Sequence, residues 1–157
     1  MARSNRFRRW LYPEGRANGL ARAMNGISAV LFRHGILAPD NWVTLEVPGR
    51  RTGKTVACPL VIADYQGERY LVSMFGQQAN WVANVRAAGG AAVLRHRSRE
   101  DVRLVEVDEG ERAPILRRYL ELAQGARPHI PVDRRAPLPE FARVAARYPV
   151  FRVTAAG

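Results

Sequence analysis

One stretch, residues 44–62, limits what this chain can fold into more than any other. Thr44-Leu45-Glu46-Val47 alternates polar and apolar, and Val56, Cys58, Leu60 and Ile62 resume the same period of two further on. That period belongs to strands, not helices. Between the runs lies Pro48-Gly49-Arg50-Arg51-Thr52-Gly53-Lys54, so the stretch reads as strand, tight basic loop, strand. Gly49 and Gly53 permit backbone turns that other residues resist. Arg50, Arg51 and Lys54 put three cations on the turn, and Thr52 adds a hydroxyl. Backbone N–H groups, a hydroxyl and cations together suit a phosphate or a carboxylate. A solvated basic hairpin tip has the same composition, and from the loop alone the two readings stay open. Lys54 is the only lysine among the 25 basic residues, and a compact ammonium differs physically from a planar guanidinium. The loop is not a Walker A motif, because three residues separate its glycines where that motif has four.

A chain of 157 residues is expected to form one domain with a core that needs no disulfide or metal. The single cysteine, Cys58, sits on the apolar side of a strand, which points to an inert buried thiol. With 25 basic against 14 acidic residues the net charge is +11. Such a field fits nucleic acid, an anionic membrane surface or an anionic small molecule. The charges are scattered along the chain, which argues against a dedicated nucleic-acid groove. His34, His96 and His129 have no ligand spacing, so no metal is expected. The N-terminus lacks the pattern of a signal peptide, and no apolar run is long enough to span a membrane. The expected location is the cytoplasm, with the inner membrane face as a peripheral option.

Residues 1–16 are basic and irregular, with Trp10-Leu11-Tyr12 after four arginines. They read either as a frayed terminus or as an anchor on an anionic membrane surface. Residues 17–34 carry Leu20, Met24, Ile27 and Leu31 on one helical stripe. After the central hairpin a turn at 65–68 leads to a third strand, Arg69–Phe75. A loop and short helix follow, with Trp81 and Asn84 on one face, ended by Gly89-Gly90. Strands are expected at Ala91–Arg97 and Val102–Val107, with Arg99-Glu100-Asp101 near their turn. Asp108 resembles a helix N-cap for a helix that turns Ile115, Leu116, Tyr119, Leu120 and Leu122 inward. A long loop over 125–139 has the length of a functional lid. A helix over Glu140–Arg147 and a strand over Val150–Thr154 close the chain. The sum is an α+β fold of about six mainly antiparallel strands with three to four helices. A small barrel is the natural closure, because it removes sheet edges.

Gly49-Arg50-Arg51-Thr52-Gly53-Lys54 followed by Pro59-Leu60, then Met74-Phe75-Gly76, then Trp81-x-x-Asn84, and last Tyr148-Pro149-Val150-Phe151 resembles the deazaflavin (coenzyme F420)-dependent nitroreductase family. The resemblance covers roughly residues 20–155. It implies a split β-barrel over residues 17–157, binding of coenzyme F420, and hydride transfer from the reduced coenzyme to nitroaromatics, quinones or similar acceptors. By the same resemblance Arg50, Arg51, Thr52, Gly53 and Lys54 would hold the coenzyme's phosphate and acidic tail. Met74, Phe75 and Gly76 would lie near the ring, with Pro59, Leu60 and Val61 from the neighbouring strand. Trp81 and Asn84 would wall the phosphate side. No protein nucleophile or general base is implied, since the coenzyme carries the redox chemistry. The chain departs from the family at Met74, where some members have Ser, at Gln77, where many have Gly, and at Val61, where Tyr is frequent. The expected partner is a small-molecule electron acceptor, with a homodimer left open and no specific nucleic acid. Two other functions compete. One is a non-catalytic split-barrel carrier of a fatty acid or other apolar anion. The other is a relative that binds FMN or haem.

Overall fold

The computed structural model describes residues 41–157. The helix expected over 17–34 and the basic segment 1–16 lie outside the described residues. Six strands form a closed antiparallel barrel: β1 (Trp42–Pro48), β2 (Thr55–Tyr65), β3 (Glu68–Val72), β4 (Ala91–His96), β5 (Ser98–Glu106) and β6 (Val150–Ala155). Around the barrel the order is β1-β2-β3-β6-β5-β4, and β4 returns to pair with β1. Leu45 faces Cys58 across β1–β2 and Leu94 across β1–β4. Closure leaves no strand edge unpaired along most of the sheet.

Alternation in β1 does what its period requires. Val43, Leu45 and Val47 are buried while Thr44 and Glu46 are half-buried. With Cys58, Ile62, Leu71, Leu94, Leu104 and Phe151 they fill the barrel interior. A short helix, α1 (Asn80–Ala87), closes one end of that interior with Trp81, Val82 and Val85. The Trp81 and Phe151 rings meet at 5.6 Å and 57°, a tilted contact that aromatic rings favour.

The alternation of β2 breaks at Val61-Ile62-Ala63, where all three are buried. Both faces are covered there. Ile62 points into the barrel, while Val61 and Ala63 belong to a second core under α2 (Arg112–Leu122) and α3 (Leu138–Val144). Leu116, Leu120 and Phe141 are fully buried in that layer. Each such side chain stabilises the fold by about 1.5–3 kcal/mol relative to exposure.

Four local expectations are corrected. The third strand ends at Val72, because Ser73 leaves the ladder and donates its hydroxyl to the Gly76 carbonyl at 2.7 Å. The β4–β5 turn is at Arg97, and residues 99–101 are strand residues opposite Val93, Leu94 and Arg95. Arg97 turns the chain with φ +62°, a conformation more usual for glycine or asparagine. Asp108 makes no side-chain cap bond. A 3-10 turn, Glu109–Glu111, precedes α2, and no side chain caps α2 either. The 125–139 segment is not structureless: Gln124–His129 is 3-10, and α3 begins at Leu138.

Candidate functional site

The β1–β2 loop is built by its own backbone. Gly49 donates to the Lys54 carbonyl at 2.8 Å, and Gly53 donates to the Gly49 carbonyl at 2.8 Å. Gly53 has φ +72°, which an L side chain adopts only with strain. A Cβ on Gly49 would crowd the Lys54 carbonyl oxygen and Val56, both at 3.2 Å. Thr52 Oγ1 accepts from the Lys54 N–H at 3.2 Å, which leaves its own hydroxyl proton to donate outward. Arg50, Arg51, Thr52, Gly53 and Lys54 are all exposed. No acidic residue occurs in the loop.

Asn84 braces this loop from α1. Its Oδ1 accepts from the Arg50 N–H at 3.1 Å and from Arg50 Nη1 at 2.9 Å. Asn84 is buried, so the side chain rigidly couples α1 to the loop across 34 residues of sequence. Trp81, one turn earlier, does not face the loop's cations; it packs into the barrel interior.

The other expected residues separate into two groups. Met74, Phe75 and Gly76 line an open cleft of about 430 Å³ together with Gln77, His129, Arg147 and Tyr148. Pro59 and Leu60 are half-buried in β2, Leu60 against the barrel interior, and Val61 is covered by the outer core. The cleft floor is tightly fixed. Gly76 has φ +80°, and a Cβ there would lie 2.9 Å from the Arg147 carbonyl oxygen. Ser73 N–H donates to the Pro149 carbonyl at 3.0 Å. Gln77 donates to the Ala146 carbonyl at 2.8 Å and accepts from Arg86 Nη2 at 2.9 Å.

Behind the cleft, Arg86 and Arg112 converge on Glu106. Arg86 makes a two-pronged contact at 2.8 and 2.9 Å, and the buried Arg112 adds one at 3.1 Å. The Arg86 hydrogen bond holds the Glu106 carboxyl below its ordinary value, against the opposing pull of burial. Arg112 also donates to the carbonyls of Val107 and Ala145, which ties the 145–147 turn to the barrel. Cys58 is buried, and burial pushes its thiol up to about 12, so it is no nucleophile. Among the described residues no group of His, Cys, Asp and Glu is placed to hold a metal ion.

Sequence reasoning did not single out His129, Arg147 or Tyr148 as cleft residues. His129 meets the Phe75 ring at 4.8 Å, and the Tyr148 hydroxyl donates to the His129 carbonyl at 3.0 Å. These residues come from segments far apart in the chain. The length of the 125–139 segment pointed to His129, and the Tyr148-Pro149-Val150-Phe151 stretch of the resemblance pointed to Tyr148.

A sequence profile of the family described as F420H(2)-dependent quinone reductase matches residues 22–137, well over half of the chain. No curated protein matches the sequence. Several solved structures are similar to it. A structure described as an F420-H2 dependent reductase (FDR-A) is 19% identical, with 72% of this chain and 93% of that chain covered and a TM-score of 0.48. Campylobacter jejuni ChuZ is 12% identical, with 82% of this chain and 53% of that chain covered and a TM-score of 0.52. The protein Atu2129 of unknown function from Agrobacterium tumefaciens is 9% identical, with 74% and 49% covered and a TM-score of 0.54. This chain therefore spans about half the length of the last two, and at these identities the likeness concerns the fold alone.

Proposed function

The chain belongs to the F420H(2)-dependent quinone reductase family, and from that premise we propose that it binds coenzyme F420 and reduces a quinone, a nitroaromatic or a similar small acceptor. The observation that carries the site assignment is the braced basic loop. Three exposed cations stand on a backbone held by its own hydrogen bonds and by Asn84. A polyanionic tail needs cations fixed in advance, because ordering them on binding would cost affinity. The residues present therefore fit the coenzyme's acidic end. The Met74–Gly76 turn fits its planar end, since an open, partly apolar cleft lies there.

In this reading Arg50, Arg51 and Lys54 hold phosphate and carboxylate groups. Thr52 donates its hydroxyl to the same anion. Asn84 orients Arg50 rather than touching the ligand. Met74 and Phe75 offer apolar surface, and Gly76 lets the backbone come close. The coenzyme, when bound, supplies the hydride; the protein supplies position and electrostatics.

Fluorescence titration of oxidised F420 against the wild type and Arg51→Ala tests the assignment. Loss of one charge-assisted contact is expected to weaken binding by roughly ten- to a hundredfold. Tight binding indifferent to Arg51→Ala would remove the loop from the site. Absence of coenzyme binding, with a fatty acid extracted from the purified protein, would move the function to a carrier.

A further inference from the structure

We infer that the cleft between Phe75, His129 and Arg147 is a subsite for a planar aromatic acid, the class of acceptor this chain prefers over a neutral quinone. The inference rests on the reductase reading above, because it names the substrate class of that site. Three observations carry it. The first is the wall. Phe75 and His129 meet at 4.8 Å with their planes tilted by 52°, and both are only half-buried. Both line the open cleft, and a flat ring can pack on them.

The second is Arg147. Among the described residues its guanidinium makes no hydrogen bond or ion pair. Arg69, Arg86, Arg95, Arg112 and Arg118 are all paired with carboxylates. Arg147 lines the cleft, its charge is near enough to the Tyr148 hydroxyl to act on it, and an unengaged guanidinium presents a planar fork that matches a carboxylate. No acidic side chain lines the cleft to repel one. Arg127, Arg134 and Arg135 add to the field from the loop that carries His129: burial, then Arg134 and Arg135, pull the Arg127 guanidinium below its ordinary value.

The third is rigidity. The Tyr148 hydroxyl holds the His129 carbonyl at 3.0 Å, and the Gly76 backbone abuts the Arg147 carbonyl. The wall and the backbone that carries the cation are thus fixed before any ligand arrives. A neutral quinone would use the wall but offer the cation only a carbonyl acceptor, without the charge or the two-oxygen fork of a carboxylate.

The test uses the full chain and two redox-inert probes of one shape, 2-naphthoate and 2-naphthamide, titrated calorimetrically with and without saturating oxidised F420. The acid is expected to bind about tenfold more tightly than the amide. Arg147→Gln should erase that preference and leave the amide unchanged, while Arg147→Lys keeps part of it. His129→Leu should weaken both probes, with thermal unfolding confirming the fold. Equal affinities for acid and amide, or a preference that survives Arg147→Gln, would overturn the inference. Displacement of 2-naphthoate by F420 would overturn it too, since the coenzyme's planar end would then fill the cleft and leave no place for an acceptor beside it. Coenzyme binding is read separately by fluorescence. Coenzyme binding without acid preference sinks only this inference; acid preference without coenzyme binding supports the subsite and removes the reductase reading.

Discussion

Asn84 and Cys58 show how burial decides a side chain's task. Asn84 is buried and polar, so its acceptor must be satisfied, and both donors come from Arg50. Asn84→Ala is expected to cost about 1–2 kcal/mol of stability and to weaken F420 binding about tenfold by loosening Arg50. Asn84→Asp keeps an acceptor, so it should hold the fold while lowering affinity through its negative charge. Thermal unfolding and coenzyme titration, run on both variants, separate the two effects. Cys58 is the opposite case. With its thiol at about 12, roughly one molecule in ten thousand carries a thiolate at pH 8. A thiol reagent should label it only as fast as the protein unfolds; rapid labelling under native conditions would contradict the buried placement.

At the scale of elements, glycines set where segments can approach. Gly90 ends α1 by donating to the Val85 carbonyl at 2.9 Å and accepts from Leu104 N–H at 2.8 Å. Its φ is +88°, and a Cβ there would lie 2.3 Å from the Leu104 carbonyl oxygen. The helix end and β5 are therefore in backbone contact. Gly90→Ala should destabilise by more than about 2 kcal/mol. Gly89→Ala, where a Cβ meets nothing within 4 Å at φ +63°, should cost only about 1 kcal/mol. Denaturant midpoints for the pair check this; equal costs would mean that conformational strain alone matters. The Gly89-Gly90 stop was legible in the sequence because its cause is local. The β4–β5 turn was not. His96-Arg97-Ser98 carries no Gly, Pro, Asn or Asp, and Arg97 is held left-handed by the pairing of the flanking strands.

Over the whole molecule, charge couples to stability through the carboxylates. The Arg86 and Arg112 guanidiniums beside Glu106, and Arg69 beside Glu100, hold both carboxyls below their ordinary values. A group lowered on folding stabilises the native state above its unfolded value, and that contribution is lost as pH falls through its folded value. Stability should therefore be flat from pH 7 to about 5 and fall below about 4.5. Protonation of the 14 carboxylates against 25 basic residues adds self-repulsion in the same range. Glu106→Gln should flatten part of the acid limb, and Glu100→Gln less, because the Glu100 pair is more exposed (44% against 33% for the two carboxylates). Denaturant midpoints across pH 3–7 measure it; an unchanged limb in Glu106→Gln would place the acid sensitivity elsewhere.

By itself the sequence determined the period-two strands, the hairpin with its glycine-basic loop and the helix stop at Gly89-Gly90. Each of these is set by the φ/ψ limits of a few adjacent residues. Tertiary structure alone decided the rest. Closure of β4 onto β1 set which apolar face became the barrel interior and sent Trp81 into it. Covering β2 on both faces buried Val61 in the outer core. Asn84 found Arg50 across 34 residues, and the cleft joined residues 74–77 to 129 and 147–148. A strand pattern states which side chains share a face. It does not state what covers that face, because burial and long-range hydrogen bonds depend on the path of the whole chain.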